Sequence, residues 1–257
     1  MSEQAVTHVR SVAKAMELLD ILLSARAPMT LQQLAAASGY PKSTAHALLS
    51  TLRRYAVIAQ DADGRYRLGI RLFEYGCAVS DSWDIPREAQ PYLEELAAQT
   101  GGSAFLSLLS GSDAITVAQC VDGSGLRVTA EAGSRLPLNA TSQGKLLLAQ
   151  MSDAEALRRA SEGGLRAYTP HTITQPDALL RALAEIRANG YAVEDGEYKI
   201  GLRSVSAPVY SGDGPAQYAI GTVGLFRNTR SDEFRRAVVS TTEIAGAFSS
   251  ALARRRG

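Results

Sequence analysis

Apolar residues near the start of the chain recur every three to four positions. Val9, Val12, Ala13, Met16, Leu19 and Leu23, with Ser11 near the start, predict an amphipathic helix over "VRSVAKAMELLDILLSA". After Pro28, "TLQQLAAASG" repeats the period at Leu31, Leu34 and Ala35, with Thr30 and Gln33 at capping-box spacing and Gly39 as a stop. A third segment, "YPKSTAHALLSTLRRY", follows with Pro41 at its first helical position. At about 100° per residue, Ala45, Leu48, Leu49, Leu52 and Ala56 share one face, which must meet a core. Ser43, His46, Ala47, Ser50 and Arg54 lie opposite, flanked by Lys42 and Arg53 on one side and Thr44 and Thr51 on the other.

The period then changes. "VIAQDADGRYRLG" holds two short extended runs around Asp63-Gly64, a type I′ hairpin signal, and strand alternation sends Arg65 and Arg67 outward while Tyr66 and Leu68 pack inward. "LGIRLFEYGCAVSDSWDIPREAQPYLEELAAQTG" is helical by pattern, interrupted near Asp84 to Pro86 and ending at Gly101-Gly102. Beyond it, "SAFLSLL", "AITVAQCV" and "LRVTA" read as antiparallel strands, and "ATSQGKLLLAQM" and "SDAEALRRA" as helices. After an irregular "GGLRAYTPHTIT" come the helix "QPDALLRALAEIRANGY", the strands "YAVED", "GLRSVSAPVY" and "AQYAIGTVGLF", and a closing helix from Ser231.

This order predicts an α+β chain. A winged helix-turn-helix occupies 1–75, a helical linker 76–86, and a domain with one mainly antiparallel sheet and helices against it 87–257. Charge sharpens the first part. Although net charge is only +1, no acid occurs between Asp20 and Asp61, while Arg26, Lys42, Arg53 and Arg54 do. An ordinary solvated helix mixes Glu with Lys. The third helix instead offers small side chains, donors and cations, the combination a major groove accepts, and Arg65 and Arg67 on the wing suit phosphates or the minor groove. Double-stranded DNA is therefore the expected partner.

Cys77 and Cys120 lack the spacing of a zinc or redox site, no apolar run approaches the ~20 residues that span a bilayer, and the N-terminus lacks a signal-peptide core. The expectation is a cytoplasmic protein without membrane or metal partners. Gly144-Lys145 is not a P-loop, because Leu146 replaces the required Ser/Thr and Asn139 the first glycine. His8, His46 and His171 are isolated, and the cluster Glu194, Asp195 and Glu197 is read as solvated or paired in preference to a metal site with His171. No catalytic residue and no cofactor is expected. A binding site is better supported: "NATSQGK" opens a helix whose N–H groups at Ser142, Gln143 and Gly144 suit a carboxylate.

The stretch "MTLQQLAAASGYPKSTAHALLSTLRRYAVIAQDADGRYRLGIRLFEYG" resembles the winged helix-turn-helix of the IclR family of bacterial transcription regulators, in its "PKST", "LL" and "TL" core and in "YRLG" after the wing. The family often has Arg where Ala47 stands and Gly where Ala56 stands. The resemblance continues to the C-terminus and implies a GAF/PAS-like effector domain with a small-molecule pocket. It places the ligand's polar end at Ser142 and Gln143, Glu194, Ser204, and Thr222 with Gly224, between walls that include Val128, Leu136 and Leu202. Gln143 and Glu194 are longer than residues common there, and Gly224 has no side-chain donor, which implies a different ligand shape.

The resulting expectation is a homodimeric or homotetrameric regulator, repressor or activator, that reads a roughly palindromic operator. Lys42, Ser43, Thr44, His46, Ser50, Arg53, Arg54, Arg65 and Arg67 would contact DNA, and the effector would be a small organic or aromatic carboxylic acid. Two rivals stand beside it: an enzyme with an appended DNA-binding domain, which the missing acid, base or nucleophile set argues against, and a DNA-architectural protein, which would lack a pocket.

Overall fold

The computed structural model describes residues 9–121 and 131–255, and the chain divides into two compact units between Asp84 and Ile85. The first unit packs α1 (Arg10–Ala25), α2 (Leu31–Ser38) and α3 (Lys42–Arg54) around Leu18, Leu22, Leu34 and Leu49. Both halves of the predicted capping box are formed: Thr30 N–H donates to Gln33 Oε1 at 2.8 Å, and Gln33 N–H donates to Thr30 Oγ1 at 3.2 Å. Gly39, with φ +70°, ends α2 in the left-handed conformation that glycine adopts without strain. Pro41, predicted as the first helical residue, is the N-cap of α3, and the helix begins one residue later at Lys42.

Three local expectations change. In α1 the buried residues are Leu18, Leu19 and Leu22, whereas Val9, Val12, Ala13, Met16 and Leu23 are exposed. The helix carries two apolar stripes, and only one meets this core. Ala56 lies beyond the end of α3, exposed, with φ +56°, so it does not extend the buried face. The wing, β1 (Ile58–Gln60) paired antiparallel with β2 (Tyr66–Leu68), does not turn on a two-residue type I′ loop. Asp61 N–H donates to Arg65 O, Gly64 N–H donates to Asp61 O, and of the loop residues only Gly64 has positive φ, the pattern of a type I turn closed by a left-handed glycine. An Asp-Gly pair satisfies either turn; the longer loop lets the Asp61 carboxylate also accept from Arg65 N–H at 2.8 Å.

Gly69 follows the wing and joins it to α4 (Ile70–Ser82). Val57 O accepts from Gly69 N–H at 2.8 Å, and Ala56 O accepts from Arg71 N–H at 3.2 Å. A Cβ on Gly69 would lie 2.2 Å from Ala56 O, so only glycine fits. The expected linker, 76–86, spans the end of α4, the break at Trp83-Asp84 and the first residues of α5 (Ile85–Thr100).

The second unit is a three-layer α/β/α arrangement. Its sheet comprises β3 (Ser103–Ser110), β4 (Asp113–Val121), β5 (Arg135–Pro137), β6 (Ala192–Asp195), β7 (Arg203–Val209) and β8 (Tyr218–Gly224), ordered β5-β4-β3-β8-β7-β6 with every neighbour antiparallel. The predicted strands appear except "LRVTA", which lies outside the described residues; β5 had no clear signal in the pattern. Helix α5 and the closing α9 (Asp232–Arg255) cover one face. On the other face lies α6 (Ser142–Ala149), with α7 (Asp153–Glu162) and α8 (Pro176–Asn189) packed outside it. Every residue of α6 is buried, because the helix is held between the sheet and α8. Its polar residues Ser142, Gln143 and Lys145 must therefore find partners inside the protein.

Candidate functional site

In the first unit, α3 turns Ala45 and Leu49 into the core and leaves Lys42, Ser43, His46, Ala47, Arg53 and Arg54 exposed, with Thr44 and Ser50 half-buried. Arg65 and Arg67 are exposed on the wing, where Tyr66 is buried, as alternation requires. Arg53 donates to Gln60 Oε1, and Gln60 Nε2 donates to Gly64 O at 3.0 Å. That chain links the end of α3 to the wing, so Arg53 positions as well as presents charge. No carboxylate of α3 or the loop after it interrupts this cationic face.

The second unit contains a cavity of about 40 Å³ between the start of α6, the sheet and the loop 196–202. This is room for roughly three waters, counted by the volume open to their centres. Phe105, Leu136, Leu202 and Val223 supply apolar wall, while Thr141, Gln143, Glu194, Tyr198, Lys199 and Ser204 supply polar groups. Five residues named from the sequence line it: Leu136, Gln143, Glu194, Leu202 and Ser204. Val128 lies outside the described residues.

Ser142 sits one layer behind, joined to the cavity through a run of hydroxyls. Ser204 Oγ lies 3.1 Å from Glu194 Oε2 and 2.8 Å from Ser142 Oγ, which lies 2.7 Å from Ser206 Oγ. Gly144 has a packing role: its N–H donates to Thr141 Oγ1 at 3.2 Å, and a Cβ there would lie 2.6 Å from Leu138 Cα. Thr141 thus caps the helix and takes up Gly144 N–H, one of the three N–H groups expected to meet a carboxylate.

On β8 the expectation was one residue out of register. Val223 lines the cavity, and Gly221 shares its face, opposite Phe105. A Cβ on Gly221 would lie 2.7 Å from the Phe105 ring, so glycine makes room for that wall. Thr222 and Gly224 point to the other side, where Thr222 Oγ1 meets Thr100 Oγ1 at 3.0 Å. The strand is buried throughout, so no polar alternation in the sequence discloses its parity. Phe105, Thr141, Tyr198 and Lys199 were also missed. For the last two there was a signal, since Gly196 and Gly201, both with positive φ, bracket them in a loop between strands.

Glu194 is the electrostatic centre of the cavity. It is 3% exposed, and burial pushes its carboxyl up to about 7, with nearby Glu197 acting in the same direction; donation from Tyr198 N–H and Ser204 opposes this. The other two acids of the cluster point elsewhere. Asp195 pairs with Arg203 at 2.7 Å, and Glu197 pairs with the buried Lys145. Among the described residues no three His, Cys, Asp or Glu are placed to hold a metal. His171 is exposed in the preceding loop and does not line the cavity.

Comparison with known proteins bears on both units. Residues 11–62 match the IclR helix-turn-helix domain, and residues 77–249 match the bacterial transcriptional regulator IclR C-terminal domain. The HTH-type transcriptional regulator XynR of Escherichia coli is 34% identical over 205 residues, 79% of this chain and 81% of that one. The crystal structure of an IclR transcriptional regulator from Alicyclobacillus acidocaldarius superposes with a TM-score of 0.80 at 30% identity, covering 96% of this chain and 100% of that one. An IclR homologue from Microbacterium hydrocarbonoxydans, crystallised with 4-hydroxybenzoate, superposes with a TM-score of 0.77 at 23% identity over 96% of this chain and 100% of that one.

Proposed function

The chain belongs to the IclR family of bacterial transcriptional regulators, and from that premise we propose how it works: a compact organic acid binds the cavity at the start of α6 and changes the affinity of the winged helix-turn-helix for its operator. That the chain is a DNA-binding transcriptional regulator follows from the family; the effector, the contacts and the assembly are our reading. One observation carries it. A small cavity with apolar walls and convergent polar groups on Gln143, Glu194 and Ser204 suits a ligand with one polar end and a compact apolar body. The 4-hydroxybenzoate of the Microbacterium homologue has such a polar end on an apolar ring, and the cavity of about 40 Å³ must open to admit a molecule of that size.

On the DNA side, Ser43, Thr44, His46 and Ser50 face base edges, while Lys42, Arg53, Arg54, Arg65 and Arg67 bind phosphates. The acid-free surface of α3 supports this assignment. The working unit is a homo-oligomer in the cytoplasm, with a dimer as its smallest form. Exposed apolar residues on α1 (Val12, Met16) and α4 (Ile70, Phe73) support it, since an isolated soluble unit rarely leaves such surface open. Among the described residues no helix is long and apolar enough to cross a membrane.

The test is fluorescence anisotropy of the full chain on DNA from upstream of its own gene, repeated with a panel of small carboxylic acids, together with light scattering for mass. Specific binding that one acid shifts at least fivefold is expected. Saturable binding of an acid with no effect on DNA affinity would refute the coupling.

A further inference from the structure

Resting on the cavity at α6 being the effector site, we infer that effector binding is linked to a proton on Glu194: an anionic carboxylate is accepted together with one proton from solvent. The argument begins with donors and acceptors. Three hydroxyls, on Ser204, Ser142 and Ser206, form three links that end on Glu194. With Glu194 ionised, the single Ser204 proton goes to the carboxylate in place of Ser142 Oγ, and the Ser142 hydroxyl donates to Gln143 Oε1 at 3.4 Å or to Ser206. Each hydroxyl has a partner inside the protein, and an ionised Glu194 has no proton of its own to offer a ligand. Protonated Glu194 carries a donor of its own at the cavity wall. The carboxyl can then donate into the cavity directly. Protonation therefore supplies the donor that a carboxylate needs, and removes the charge that would repel it.

No buried cation near Glu194 removes that charge instead. The ionisable groups on the elements around Glu194 are Lys145 on α6; Glu197, Tyr198 and Lys199 in the loop 196–202; and Arg203 on β7. Lys145 is buried and paired with Glu197. Arg203 is paired with Asp195 and donates to Phe226 O at 2.7 Å. Lys199 is exposed, with its ammonium 5.7 Å from the centre of the Tyr198 ring. A buried ionised carboxylate beside an incoming one, without a buried cation to spare, is an arrangement that takes up a proton.

Isothermal titration of the full chain with pyruvate and with benzoate, both ionised throughout the range, at pH 6 and pH 8.5 in buffers of different ionisation enthalpy, tests the linkage. From the carboxyl position near 7, a dissociation constant about thirtyfold weaker at pH 8.5 than at pH 6 is expected, with uptake of about one proton per chain at the higher pH. Glu194→Gln, which stays neutral and keeps a donor, should bind with an affinity that does not change between the two pH values. Equal wild-type dissociation constants at both pH values, or no binding of either carboxylate at pH 6, overturns the inference. Should the variant fold poorly, infrared spectra of the unliganded wild-type chain decide. A protonated carboxyl band present at pH 6 and lost by pH 8.5 supports the proposal, and its absence at pH 6 overturns it. Benzamide binding that is indifferent to pH and still alters DNA affinity, with neither carboxylate bound at pH 6, would refute the proton linkage while leaving the effector site standing.

Discussion

Replacing Glu194 by glutamine should change how folding responds to pH, without any ligand. Glutamine keeps the shape and can still accept from Tyr198 N–H, whose distance to Glu194 Oε1 is 3.2 Å, but it does not titrate. In the wild type the carboxyl moves from an ordinary 4.5 to about 7 on folding, chiefly because it loses water. Below 4.5 both states hold the proton, so Glu194 makes no pH-dependent difference. Between 4.5 and 7 the unfolded chain releases it while the folded chain keeps it, so wild-type stability falls as pH rises, by about 3 kcal/mol over the window. Above 7 both states are ionised and the loss is complete. The variant lacks this loss, so its stability relative to wild type should rise by about 3 kcal/mol from pH 4.5 to 8. For a unit of this size that is roughly 6–12 °C in melting temperature. Differential scanning calorimetry of both chains across the range measures it, and the difference between them cancels contributions from other groups. A melting-temperature difference that stays flat from pH 4.5 to 8 would refute the reasoning.

Other substitutions address the first unit. Ala56→Gly relieves a left-handed backbone at φ +56° and should stabilise that unit by about 0.5–1 kcal/mol after the extra freedom of the unfolded glycine is discounted; a lower midpoint in urea would contradict this. Gly69→Ala forces a methyl to 2.2 Å from Ala56 O and should cost more than about 2 kcal/mol, visible as early proteolysis of the wing; an unaltered cleavage pattern would count against the tight junction. Arg54→Ala should weaken binding to all DNA sequences and lower the salt slope by about one phosphate, whereas His46→Ala should alter sequence preference at an unchanged slope. Measured slopes and preferences identical to wild type in both variants would dismiss α3 as the reading helix.

What could be read from the chain beforehand divides along physical lines. Features decided within four or five residues were legible: the Thr30–Gln33 capping box, the Gly39 stop, and the alternation of Arg65, Tyr66 and Arg67. Features decided by which neighbour an apolar face meets were not. In α1 the sequence shows two stripes and cannot say that Leu18, Leu19 and Leu22 face this core while Val12 and Met16 do not. In β8 the same ambiguity hides which side chains face the cavity, because both faces are buried; Val223, beside Gly221, does so. Glu194 and Ser204 were identified by family likeness, but their union with Ser142 and Ser206 depends on β7 lying beside both β6 and the start of α6, a contact between distant parts of the chain.

The junction at Gly69 leaves no slack. Three backbone bonds lash it together: Val57 N–H to Leu52 O, Gly69 N–H to Val57 O, and Arg71 N–H to Ala56 O. They run between the end of α3, the foot of the wing and the first turn of α4, and a bare Cα fills the gap between them. Mechanically this makes α4 a crank rather than a cord. Its 13 residues form an arm about 20 Å long, so a swing of about 10° at the hub sweeps its far end through about 3.5 Å. Run the other way, a push of that size on the far end turns helix and wing together by the same angle. A displacement of about an atom's width at the far end of α4 is thus felt as a rotation of the wing that carries Arg65 and Arg67.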